Sequence, residues 1–148
     1  MPSDPGAVPV VTGRCYCGAT QLSSLTPPLT VAYCHCADCR RWTGAPVGAF
    51  AAFNRADLIT EPALGEGTSH HPAVRRWNCD HCGSPLAATF DYLPGQIYVP
   101  IGLLDQADTL PPQIHCHANK GMPWLHIADD LERAAGSGRD ALNSASGT

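Results

Sequence analysis

A chain of 148 residues, 44% hydrophobic and only 15% charged, has the composition of a globular domain and the length to bury a core. Its net charge of −4 argues against a nucleic-acid partner, which would call for a basic stripe; only Arg40–Arg41 and Arg75–Arg76 stand as basic pairs, and two such doublets make no stripe. No run approaches the roughly 18 to 20 consecutive apolar residues of a membrane-spanning helix, so no membrane association is expected.

Residues 1–10 carry three prolines and lack the basic-then-apolar pattern of a secretion signal. They read as a flexible tail on a cytoplasmic protein. Short β-prone runs follow, broken by Pro and Gly, and predict strands over 10–12, 19–22, 29–33, 47–53, 85–92, 96–103 and 113–117. Two helical turns are predicted, one just after Cys36 and one over 129–135. Residues 136–148, rich in Gly, Ser and Ala, read as a second flexible tail. The expected architecture is one mainly β domain over residues 11–135, with metal knuckles in its turns.

Seven of the eight cysteines form three clusters: Cys15-x-Cys17, Cys34-x-Cys36-x-x-Cys39 and Cys79-x-x-Cys82. Thiolates one or two residues apart turn inward on one knuckle and share a tetrahedral Zn²⁺, whereas a disulfide is hard to close across so short a loop. Gly18 and Gly83 follow the first and last knuckles and allow the sharp turn that aims backbone N–H groups at sulfur. Pairing these two knuckles gives a closed structural site of Cys15, Cys17, Cys79 and Cys82. Cys34, Cys36 and Cys39 remain for a second zinc, and three protein ligands with a free fourth position are the pattern of a catalytic metal. Such a site holds an incoming thiol as thiolate for attack on an electrophilic carbon.

Alternatives stay open on residue type alone. His35, His115, His117 or Cys116 would make the second site structural by closing it, and an iron or binuclear site would use the same thiols. On a strand over 113–117, His115 and His117 would face one side and Cys116 the other. That alternation makes Cys116 a small core residue and leaves His117 on a half-exposed strand.

The pattern resembles the glutathione-dependent formaldehyde-activating enzyme and centromere protein V family. The resemblance rests on Gly13-Arg14-Cys15-Tyr16-Cys17-Gly18, Cys34-His35-Cys36-Ala37-Asp38-Cys39-Arg40, and Cys79-Asp80-His81-Cys82-Gly83-Ser84-Pro85-Leu86. Weaker matches follow in order at Ile101-Gly102-Leu103-Leu104-Asp105 and from His115 through Lys120 to Pro123-Trp124. It implies a β-tent fold of two packed antiparallel sheets and two zincs, divided as above. The implied activity joins the thiol of glutathione to formaldehyde, giving S-(hydroxymethyl)glutathione, in the manner of a carbon–sulfur lyase run in reverse. His115-Cys116-His117 departs from the family, whose members show His followed by apolar or aromatic residues.

Glutathione carries two carboxylates, and Arg40 and Arg41, directly after the second knuckle, are the expected anchors, with Lys120 a further cation. Trp77 and Trp124 are expected in the core and Asp105 at a turn, while His70-His71 fall in a predicted loop with no assigned role. The expected function is a zinc-dependent, carbon–sulfur lyase-type enzyme acting on a thiol adduct. Its alternative is a non-catalytic zinc scaffold that binds a protein or small ligand.

Overall fold

Eleven strands form two sheets in the computed structural model, which describes residues 8–138 and Leu142. The stretches 1–7, 139–141 and 143–148 of the two predicted tails lie outside the described residues. The small sheet joins β1 (Val11–Arg14), β2 (Gln21–Ser24) and β5 (Leu58–Glu61) in that order, all antiparallel. The large sheet has eight strands: β3 (Thr30–Cys34), β4 (Gly48–Asn54), β6 (Thr68–His71), β7 (Val74–Asn78), β8 (Pro85–Phe90), β9 (Gln96–Pro100), β10 (Ile114–Cys116) and β11 (Glu132–Arg133). Its order is β11-β10-β3-β4-β9-β8-β7-β6.

The central strands are apolar on both faces because both faces are covered. Period-2 alternation sends Val31, Ala51, Phe53, Ile97 and Val99 to one side, where they pack with Val11 and Leu22 of the small sheet. Their neighbours Ala32, Phe50, Ala52 and Tyr98 go to the other side, where they pack with Leu93, Ile114, Cys116 and Leu142. Each face of the large sheet therefore carries its own core.

One helix, α1 (Ala37–Thr43), forms where a turn was predicted after Cys36. Its N-cap is Cys36, whose Sγ accepts from the Cys39 N–H at 3.3 Å, and it ends at Gly44 in the left-handed conformation.

Several expectations need correction. The sheets are not wholly antiparallel, since β10 runs parallel to both β3 and β11. The segment predicted helical at 129–135 instead contributes edge strand β11, and residues 101–103 form a 3-10 turn in place of a strand end. β5, β6 and β7 were not anticipated; β6 is exposed along its whole length and carries no apolar alternation to reveal it. Trp77 is buried at 3% exposure beside Cys15 and Cys79, but Trp124 is 65% exposed and is no core residue. Packing also continues past residue 135: Gly136 accepts a hydrogen bond from the His117 N–H, and Leu142 is buried. No helix among the described residues is long and apolar enough to cross a membrane.

Candidate metal centres and their cavity

Two knuckles of matching backbone design build the first centre. In each, the N–H of the first cysteine bonds the carbonyl five residues on (Cys15 to Thr20, 3.0 Å; Cys79 to Ser84, 2.9 Å). In each, a left-handed glycine turns the chain back, Gly18 at φ 83° and Gly83 at φ 79°, donating to the carbonyl of that same cysteine. The four donor sulfurs of Cys15, Cys17, Cys79 and Cys82 lie within 4.8 Å of one another.

Three of the sulfur–sulfur separations are 3.6 Å (Cys15–Cys79), 3.7 Å (Cys15–Cys17) and 3.9 Å (Cys17–Cys79). A tetrahedron with Zn–S bonds of about 2.3 Å has edges of about 3.8 Å. Cys15, Cys17 and Cys79 thus already stand at the spacing of three corners of a zinc tetrahedron, with the Cys82 sulfur in the same group. Backbone N–H groups of Ala19, Thr20 and His81 approach sulfurs at 3.4 Å, the contacts that stabilise thiolate charge. A hydrogen bond with the Ser84 hydroxyl holds the Cys82 thiol down at about 5.

The second cluster lies on the opposite face of the large sheet. β3 ends at Cys34, and α1 begins just beyond Cys36 and buries Cys39 on its inner side. The thiols of Cys34 and Cys36 are 3.3 Å apart, and Cys39 hydrogen-bonds with both. This network concentrates negative charge on one atom. Donation from Cys34 and Cys39 holds Cys36 down at about 2, while Cys34 is pushed well up by the same bonds. Cys39 is lowered by Cys34, but its bond to Cys36 and its burial prevail and push it up to about 12. Cys36 is therefore the first thiolate of the three.

A residue the sequence reading set aside joins this cluster. The donor atoms of Cys34, Cys36 and His117 lie within 4.8 Å of one another, a set that does not include the expected ligand Cys39. Parallel pairing of Cys116 with Cys34 brings the end of β10 level with the knuckle. Strand alternation would then turn His117 away with His115, but the strand stops at Cys116. His117 adopts the left-handed conformation, φ 51° and ψ 44°, which carries its ring to the cysteine side. Only the dihedral, invisible in the sequence, separates this outcome from the half-exposed strand position expected. Cys116 itself is buried in the core of this face and is absent from the donor set.

His35 and His115 occupy the other side of the β3–β10 pair. His115 stacks on Tyr33 with ring centroids 4.6 Å apart and sits 2.8 Å from His35. Its Nε2 donates to Asp129 at 2.9 Å, so its Nδ1 accepts from His35 Nε2–H, and both tautomers are fixed along the chain. These histidines brace the knuckle from behind.

Cys34, Cys36 and Cys39 line a cavity of about 220 Å³, together with Phe50, Phe90, Tyr98 and Leu142; none of the first centre's cysteines lines it. Among the described residues, Arg76 is the one arginine or lysine on its wall. Its guanidinium lies 4.6 Å over the Trp42 ring, and its Nη1 is buried with no hydrogen-bond partner among the described residues. Tyr92 also lines the cavity, and burial followed by the nearby thiols pushes its phenol up to about 12, so it stays protonated.

The expected carboxylate anchors divide. Arg41 lines a groove of about 430 Å³ that shares Asp38, His71, Val74 and Arg76 with the cavity and so continues from it. Arg40 borders instead a separate groove away from the thiols, with Met122, Trp124 and again Arg41. Lys120 is exposed and borders none of these spaces. Asp105 accepts from the Thr12 hydroxyl at 2.7 Å in the turn after Leu104 and belongs to neither donor set. Arg76 was missed because a basic doublet on a polar strand looks solvated; the Trp at 77 was the available hint that the strand is half buried. His71, given no role, borders the cavity from β6.

Comparison with known proteins agrees with this arrangement. A crystal structure of a Rhodobacter sphaeroides protein matches with a TM-score of 0.50 at 23% identity, over 64% of this chain and 87% of that one. At that identity the likeness shows the fold alone. No curated protein matches. The family model for glutathione-dependent formaldehyde-activating enzyme matches residues 10–120, a span that holds all seven clustered cysteines. The chain belongs to the glutathione-dependent formaldehyde-activating enzyme family.

Proposed function

We propose that this protein is a zinc-dependent enzyme of carbon–sulfur lyase type that joins a small thiol, glutathione first among candidates, to formaldehyde or a related small aldehyde. One observation carries the reading: the three-cysteine cluster opens onto an apolar cavity, while the four-cysteine cluster is tied into the core between the sheets. Cys15, Cys17, Cys79 and Cys82 would hold a structural zinc. Cys34, Cys36 and Cys39 would hold the catalytic one, whose chemistry is to keep an incoming sulfur deprotonated and oriented.

The residues of the chain do the remaining work. Phe50, Phe90, Tyr98 and Leu142 exclude water around the reacting atoms. Arg76 and Arg41 flank the way in and match the carboxylates of a peptide thiol, Arg76 with a buried donor to spare. The sulfur attacks the aldehyde carbon, the carbonyl electron pair moves to oxygen, and that oxygen takes up the proton the thiol gave up. Thiols and formaldehyde combine unaided in water, so orientation and deprotonation are all the site must add. Thiolate ligands of this kind persist in a reducing compartment, in keeping with a cytoplasmic location.

Exchange NMR with labelled formaldehyde and glutathione tests this reading. The two-zinc protein should accelerate formation and breakdown of the adduct, and Cys36→Ser should lose the acceleration. Equal rates with and without the protein would leave the scaffold reading, which the closeness of His117 to Cys34 and Cys36 also favours.

A further inference from the structure

Beside the thiols of the second knuckle stands one further donor, His117, whose ring nitrogen groups with the sulfurs of Cys34 and Cys36. We propose that His117 is the fourth protein ligand of the second centre: an imidazole that closes the metal at rest and gives up its position to an incoming thiol. The inference rests on the reading that Cys34, Cys36 and Cys39 hold a zinc.

Position is the first argument. An imidazole nitrogen of His117 shares a 4.8 Å sphere with the sulfurs of Cys34 and Cys36, and the ring lines the same cavity. Imidazole and thiolate together are an ordinary donor set for tetrahedral zinc.

The backbone gives the second argument. His117 is the single non-glycine residue with positive φ among the described residues. Non-glycine side chains adopt that region rarely, and such residues gather at functional sites. Two bonds hold it there: its N–H donates to Gly136 at 2.7 Å, and its carbonyl accepts from Lys120 at 2.9 Å. Without that conformation, alternation along β10 would send the ring to the side of His115. The turn therefore has the specific effect of delivering an imidazole to the thiols.

Displaceability follows from how the ligands are mounted. Cys34 ends a paired strand, Cys36 caps a helix, and Cys39 sits buried on that helix. His117 stands on one residue between a three-residue strand and a three-residue 3-10 turn, half-buried at the cavity wall. The imidazole lines the same cavity as the three sulfurs, so a thiol entering there has access to it. Cys116, the other candidate for closing the site, stays in the strand with its sulfur packed toward Gly138.

The test uses the two-cobalt protein and His117→Gly, a substitution glycine's freedom at positive φ makes safe for the fold. Wild type should show full-intensity four-coordinate bands for both metals before any thiol is added. His117→Gly should shift the bands of one metal and release that metal to a chelator at least tenfold faster. Free imidazole should restore the wild-type bands in the variant, a rescue that a packing role would not allow. Glutathione should bring both proteins to the same final spectrum. Identical spectra for wild type and His117→Gly, indifferent to imidazole, would overturn the ligand assignment. Wild-type bands unmoved by glutathione would overturn displacement. Binding of only one cobalt by wild type would instead remove the two-metal reading on which the proposal stands.

Discussion

The two cysteine clusters use the same chemistry on opposite faces of one sheet, and they differ in where their ligands come from. The first gathers two knuckles from segments more than sixty positions apart, Cys15 with Cys79, and three of its sulfurs already stand at tetrahedral spacing. The second takes three thiols from six consecutive residues. Ligands drawn from distant segments surround a metal and tie the chain together; ligands drawn from one knuckle cap one face of a metal and leave the rest to something else. Here that remainder is a cavity and one histidine. On the proposed reading, ligand provenance, more than ligand identity, is what separates a stabilising site from a reactive one.

Breaking the first site should have the largest effect. Cys79→Ser should lose one metal and most of the cooperative fold, because structural zinc binding is coupled to folding at roughly 10 kcal/mol or more. Circular dichroism melts with metal analysis would show it. A well-folded one-metal Cys79→Ser protein would remove the distinction between the sites. Cys36→Ser should behave oppositely, keeping the secondary structure and one metal per chain while adduct formation falls to the background rate.

A smaller effect is expected at the cavity wall. Arg76→Met should raise KM for glutathione about tenfold with kcat less affected, as loss of a charge-assisted hydrogen bond of roughly 1.5 kcal/mol predicts. The same substitution should leave KM for a thiol without carboxylates almost unchanged. The smallest effect belongs to the brace behind the knuckle. Hydrogen bonding from His115 holds the Asp129 carboxyl at about 2, below its ordinary 3.8. A depressed carboxyl stabilises the fold above its unfolded value and loses that contribution as pH falls through the folded one. Asp129→Asn should therefore lower the melting temperature slightly at pH 7, and the difference should vanish as pH falls through about 2.

The cysteine clusters were legible because cysteine spacing is a local signal: the four sulfurs of the first come together, as do those of Cys34 and Cys36 in the second, and strands β3, β4, β8 and β9 showed in their apolar runs. What the sequence hid was non-local. β6 and β7 are polar because their outer faces meet water, so Arg76 looked like surface until pairing with β8 turned it over the Trp42 ring. β11 has two residues and is a strand only because β10 lies beside it. His117 was misjudged by a single dihedral, since alternation holds only while the strand continues.

The most direct test of the account is ¹¹³Cd NMR of the two-cadmium protein during titration with glutathione. Two resonances are expected, one in the four-sulfur range that stays fixed and a second that shifts and saturates as thiol enters. Two fixed resonances, or two that move together, would contradict the division into a closed centre and a thiol-accepting one.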